Sequence, residues 1–150
     1  MQKKTCFVVI LLFAALLLSC TRGSSALIDG YYTAEAAEFD AYGWKEYLSI
    51  RVSGGEIIVV EYNAYNASGF IKSWDMNHMR AMNASNGTYP NEYARHYAAL
   101  FLKYQGIDRI DALSGASHSY PVFIGLAEAV LENAWAGKSR TTLVYFGDSH

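Results

Sequence analysis

An α+β fold, with an antiparallel hairpin-based sheet packed against two to three helices in a single domain, is what the sequence predicts, and three observations carry it. Leu48, Ile50 and Val52 alternate with Tyr47, Ser49 and Arg51, the period of a strand with one face buried. Phe123, Leu126, Ala127, Val130, Leu131 and Ala134 recur at the spacing of one helix face, with Glu128 and Glu132 on the other. Strand signals come first and helix signals follow in a block, which is the order of an α+β chain rather than of alternating βα units.

Taken in order, the first element stands outside the fold. Residues 1–19 hold Lys3 and Lys4, an apolar run from Phe7 to Leu18, and Ser19 just before Cys20. Charge followed by a short apolar core is the build of a secretion signal, too short to span a bilayer. Leu17-Leu18-Ser19-Cys20 resembles a bacterial lipobox, whose cysteine takes a diacylglycerol after cleavage. The resemblance implies a lipid on Cys20 and a chain held on the extracytoplasmic face of a bacterial membrane, periplasmic or cell-surface. Cleavage leaves 131 of the 150 residues, enough for one sizeable core. Residues 20–28 then form the lipidated cysteine and a polar tether, of which Thr21 to Ala26 spans roughly 20 Å if extended.

The domain proper is expected over 29–146. DGYYTAEA, from Asp29 to Ala36, reads as a first strand entered by a turn. WKEYLSIRV (Trp44 to Val52), the glycine turn SGGE and IIVVEYNAY (Ile57 to Tyr65) make a β-hairpin. DMNHMRAM begins at Asp75, a plausible cap for a short helix. NEYARHYAALFLKYQ follows Pro90 and sets Tyr93, Tyr97, Leu100, Phe101 and Tyr104 on one side. The tyrosines there read as core-edge residues whose hydroxyls reach water. Pro121 opens the last helix, and TTLVYF (Thr141 to Phe146) reads as a final strand.

Composition narrows the function. Net charge is −2 and 52% of residues are hydrophobic, so nothing points to a nucleic-acid partner. Once residues 1–19 are removed, 10 basic residues remain against 14 acidic ones. Cys20 is then the last cysteine, and with a lipid on it no thiol is left for a disulfide, a nucleophile or a metal. Asn66, Asn83 and Asn86 each head an Asn-x-Ser/Thr triplet, which in a bacterial chain reads as turn chemistry rather than glycosylation.

One stretch does not serve the core. DALSGASHSY, Asp111 to Tyr120, places small and hydroxyl-bearing residues between two helical segments. Gly115 and Ala116 allow close approach to the backbone, and Ser114, Ser117 and Ser119 offer hydroxyls. The helix that starts near Ser119 to Pro121 turns its unpaired N–H groups and positive dipole end toward the loop, an arrangement suited to a phosphate.

D-A-L-S-G-A-S, Asp111 to Ser117, resembles the signature of the FMN-binding domain of sodium-translocating NADH:quinone reductase C subunits, Rnf G subunits and extracellular flavin lipoproteins. The order of the surrounding segments is similar over Asp29 to Trp135. The resemblance implies FMN joined by a phosphoester to Ser117, attached by a flavin transferase that recognises Asp111, Ser114, Gly115 and Ala116, with Ser119 as a fallback acceptor. It also implies an electron-transfer carrier serving redox partner proteins rather than a stand-alone enzyme, with no catalytic side chain and no metal. The family's usual acceptor is threonine, and serine keeps the same oxygen without the methyl group. Stacking on the flavin falls to Tyr31, Tyr32, Trp44 or Tyr120, or to Trp74 with the methionines beside it, and the sequence does not choose. A second class stays open: a surface lipoprotein that binds flavin non-covalently, or an interaction module with no redox role.

Two rival chemistries fit less well. Gly115-Ala116-Ser117-His118-Ser119 lacks the last glycine of a nucleophile elbow and the parallel sheet an elbow stands on. Met76, Met79 and Met82 fall at three-residue intervals beside His78, which reads as a packed helix side before it reads as a copper site.

Overall fold

Glycine at two successive positions settles the turn of the hairpin. Gly54 and Gly55 both have positive φ, 65° and 79°, the pair of left-handed residues that a tight hairpin turn needs. They join β2 (Lys45–Ser53) to β3 (Glu56–Tyr65), and β1 (Gly30–Ala36) pairs antiparallel on the other side of β2. The structure, a computed structural model, describes residues 26–147. The expected leader at 1–19, Cys20 and the part of the expected tether through residue 25 lie outside the described residues.

A 3-10 turn (Lys72–Trp74) follows β3, then helices α1 (Met76–Asn86), α2 (Pro90–Tyr104) and α3 (Ser119–Ala136), and last β4 (Thr142–Val144). Asp75 caps α1 as expected, its Oδ1 accepting from the Asn77 and His78 amides at 3.1 and 2.9 Å. Pro90 opens α2 where its missing N–H costs nothing. The strands lie in the order β3-β2-β1-β4. Helix α2 packs on β3 and α3 on β1 and β2, so both helices cover the same sheet face.

That face carries the core. Tyr32, Leu48 and Ile50 from the sheet meet Tyr97, Phe101, Phe123, Leu126 and Val130 from the helices, all essentially without solvent exposure. Tyr97 stacks on Phe123 with ring centroids 5.1 Å apart. Gly125 sits inside α3 because the Phe146 ring occupies the space a side chain would need, a packing reason strong enough to offset the helix cost of glycine.

The architecture is the expected α+β domain, with four corrections of detail. The sheet is mixed rather than purely antiparallel, since β4 pairs parallel to β1, Ala34 opposite Thr142. Helix α3 covers β1 and returns the chain beyond it, so the helix dictates the strand's direction. Tyr93 and Tyr97 are buried, 3% and 0% exposed, rather than edge residues with wetted hydroxyls. Helix α1 buries none of its residues; Met82 touches the core but Met76 is half exposed, so the methionine side is not a packed face. Of the three asparagines, Asn66 alone makes a turn, its Oδ1 receiving the Ser68 and Phe70 amides at 3.0 Å each; Asn83 and Asn86 belong to α1.

Candidate functional site

The loop between α2 and α3 is held by tyrosine hydroxyls. The Tyr97 hydroxyl, on α2, accepts the Leu113 amide at 3.0 Å and donates to the Ala116 carbonyl at 3.5 Å. Tyr120, in the first turn of α3, donates to the Ile110 carbonyl at 2.8 Å. Between these two anchors the Ala116 amide bonds back to the Leu113 carbonyl at 3.0 Å, closing a four-residue turn. Gly115 is its third residue, with φ +79°, a position where a side chain is strained.

Gly115 has a second reason to be glycine. A Cβ there would overlap the Asn86 carbonyl and stand 3.0 Å from Thr88 Cγ2. The close backbone approach expected for a ligand is thus taken at Gly115 by the end of α1, while Ala116 is 2% exposed. Asp111, Ser114, Ser117 and His118 face solvent.

Ser117 and Ser119 part company at the helix start. Ser117 is exposed two residues ahead of α3, whose first turn carries no acidic side chain and whose first N–H groups have no partner within the helix. Ser119 is 9% exposed. Its hydroxyl lies against the Glu46 carboxyl and the Tyr93 hydroxyl, and its carbonyl accepts from Tyr62 Oη at 3.2 Å. A hydroxyl engaged in that way is poorly placed to take a bulky group.

Behind the helix start lies a polar cluster absent from the sequence reading. Glu46 accepts from Tyr62 Oη, and Lys72, buried with its Nζ 5.8 Å from the Trp44 ring centre, borders the same spot. A water-sized cavity of about 10 Å³ sits among Glu46, Tyr62, Lys72 and Tyr93. Burial pushes the Glu46 carboxyl above the usual range, against the opposing pull of the Lys72 charge and the Tyr62 bond. Burial, with Glu46 beside them, drives the Tyr62 and Tyr93 hydroxyls well up, so at neutral pH both remain donors. The signal for Glu46 was in the strand period, since it shares the parity of Trp44, Leu48, Ile50 and Val52. Lys72 carried no such mark, because its burial comes from the 3-10 turn folding over β3.

The candidate stacking aromatics are scattered. Tyr32 and Trp44 are buried, with Tyr32 bonded to the Ile28 carbonyl. Tyr120 is spent on Ile110, and Tyr31 lies exposed on the helix-free face of the sheet under Arg51. Trp74 is 67% exposed at the end of the 3-10 turn. The group suited to a phosphate therefore reduces to Ser117 and the first amides of α3.

No protein-family model matches the chain. Among curated proteins it is similar to the 15 kDa lipoprotein of Treponema pallidum (strain Nichols), 32% identical over 133 residues that make up 89% of this chain and 93% of that protein. Among solved structures it is similar to the crystal structure of CPE2226 from Clostridium perfringens, 39% identical at a TM-score of 0.77, covering 80% of this chain and 98% of that one. A solution structure from Clostridium thermocellum matches at 29% identity and a TM-score of 0.49, over 71% and 91% of the two chains.

Proposed function

The chain belongs to the family of the Treponema pallidum 15 kDa lipoprotein, and from that premise we propose that it is a lipid-anchored extracytoplasmic protein that carries FMN on Ser117 as an electron-transfer carrier. The anchor is the better supported half. The relative is named a lipoprotein, and the 133 aligned residues leave at most 17 of the 150 outside, so the alignment includes Ser19 and Cys20. In this reading residues 1–19 are removed and a diacylglycerol on Cys20 holds the domain close to the membrane.

The flavin half rests on one observation, the exposed hydroxyl of Ser117 at the start of α3. The residues present fit the phosphate end of FMN: a free hydroxyl to esterify, helix N–H groups beside it, and no carboxylate in the first turn to repel it. FMN when bound supplies one- and two-electron redox chemistry. The chain's own part is to hold the phosphate in place, and no side chain need move a proton. Asp111 and Ser114, exposed on the same loop, form the surface that a flavin transferase would read. The motif and the order of segments, not a family model, connect the chain to FMN.

Intact-mass measurement on protein co-produced with a flavin transferase tests this. A gain of one FMN less one water, absent from Ser117→Ala and retained in Ser119→Ala, is the expected result. An unshifted mass in a folded, colourless protein overturns the flavin half and leaves an anchored interaction module. The anchor has its own readout, because Cys20→Ser should move the chain from the membrane fraction to the soluble one.

A further inference from the structure

Strand β3 is an edge of the sheet, and its outward backbone groups are satisfied at both ends but not in the middle. At one end Gln105, just past α2, imitates a neighbouring strand: its Oε1 accepts the Ile57 amide at 2.7 Å and its Nε2 donates to the Ile57 carbonyl at 2.9 Å. At the other, the Ala64 amide bonds Asn63 Oδ1 at 3.0 Å, and Ile71 bridges to Tyr65.

Between those plugs, parity decides which groups are open. Outward-facing residues alternate along a paired strand. Counting back from Ala64 gives Tyr62 and Val60, and counting forward from Ile57 across the bulge opposite Arg51 and Val52 gives the same two residues. Among the described residues, no side chain or turn bonds the outward amide or carbonyl of either one.

A cleft of roughly 370 Å³ runs along this open window. Four consecutive residues, Val60 to Asn63, line it. Side chains alternate between sheet faces, so four in a row means that the backbone edge itself is the wall. The opposite wall is α2, where Ala94 and Ala98 leave room that larger residues would fill, and Trp74 stands at the mouth.

We infer that this cleft takes an extended peptide segment of a partner protein, added as a fifth strand beside β3. A chain of alternating N–H and C=O groups is the ligand whose spacing matches two open donor and acceptor pairs on alternate residues of an edge strand. Charge selects the sequence. Glu61 lies between the two open residues with its side chain on the helix-free face, so a Lys or Arg belongs directly opposite it, flanked by small apolar residues that face Ala94 and Ala98. The same residue argues against a second copy of this chain. Twofold pairing that satisfied Val60 and Tyr62 would set Glu61 against its own equivalent, which is destabilising. The described N-terminal segment passes the hairpin turn, with Ala26 beside Gly55 and the Asp29 carboxylate accepting the Gly55 amide at 3.0 Å, before it enters β1, and Phe146 packs on Gly125. This inference is independent of flavin.

The test is selection of a random nonapeptide display library on the full-length chain held in detergent. Enrichment of proline-free sequences with a central Lys or Arg, whose binding protects the Val60 and Tyr62 amides from hydrogen exchange, is the expected result. Val60→Pro removes an N–H that faces away from β2, a place where a strand accepts proline, and should weaken the selected peptide at least tenfold with circular dichroism unchanged. Glu61→Lys keeps every backbone bond and should switch the enriched central residue from basic to acidic. No enrichment, enriched peptides that leave those two amides unprotected, or the same protection produced by self-association without peptide would each overturn the proposal.

Discussion

Replacing Gly115 by alanine separates two explanations for a glycine in the DALSGAS loop, one in which it makes room for a ligand and one in which the fold itself requires it. The structure favours the second. At φ +79° an alanine gives up about 1–2 kcal/mol to left-handed backbone. Its methyl group would also press on the Asn86 carbonyl and Thr88, and such overpacking costs about 1–3 kcal/mol more. A combined loss of about 3 kcal/mol is a large part of the roughly 5–15 kcal/mol that holds a domain together. At about 4 °C per kcal/mol for a chain of this size, the melting temperature should fall by roughly 12 °C. Gly54→Ala is the internal control. Its φ is also positive, 65°, but nothing lies within 4 Å of the added carbon, so only the backbone cost of about 1–2 kcal/mol applies. Thermal unfolding followed by circular dichroism, on flavin-free protein made without its leader, measures both. Equal losses in the two variants, or a Gly115→Ala melting point within about two degrees of the parent, would refute the contact with α1.

Two other expectations follow from the hydroxyls and the buried carboxyl. Tyr97→Phe leaves the Leu113 amide and Ala116 carbonyl without their partner and should cost about 1–3 kcal/mol in urea unfolding, with faster hydrogen exchange at Leu113; unchanged exchange there would mean that the loop is held some other way. Glu46 has a carboxyl raised above 4.5 by burial, so the fold binds its proton more tightly than the unfolded chain does. Its contribution to stability is complete below pH 4.5 and declines as pH rises through the folded value. Glu46→Gln, which still accepts from Tyr62, should flatten that decline, and parallel curves for mutant and parent between pH 4 and 8 would show that the carboxyl is not so perturbed.

Much of the fold could be read along the chain. The alternation from Leu48 to Val52, the glycine pair after Ser53, the Asp75 cap and the helix from Ser119 each follow from neighbours within a few residues. The candidate site was half legible. Composition marked the loop, and helix geometry marked its phosphate-friendly end. What composition could not do was tell Ser117 from Ser119, two like residues two positions apart, because their difference lies in whether Glu46 and Tyr93 are nearby. Nor could it assign the tyrosines of α2 to the interior, since a tyrosine is amphipathic and only the packed neighbour decides whether its hydroxyl meets water or a carbonyl.

Periodicity, caps and turn residues are local, and by themselves they determined most of the secondary structure and the helix start behind Ser117. Contacts between distant segments were left to tertiary structure. These are the parallel placement of β4 beside β1, the Asn86 carbonyl against Gly115, the Gln105 amide on Ile57 and the open edge at Val60 and Tyr62. The physical reason is one of range. A dihedral preference or an alternation acts across a few bonds, whereas burial and edge pairing depend on what the rest of the chain brings alongside.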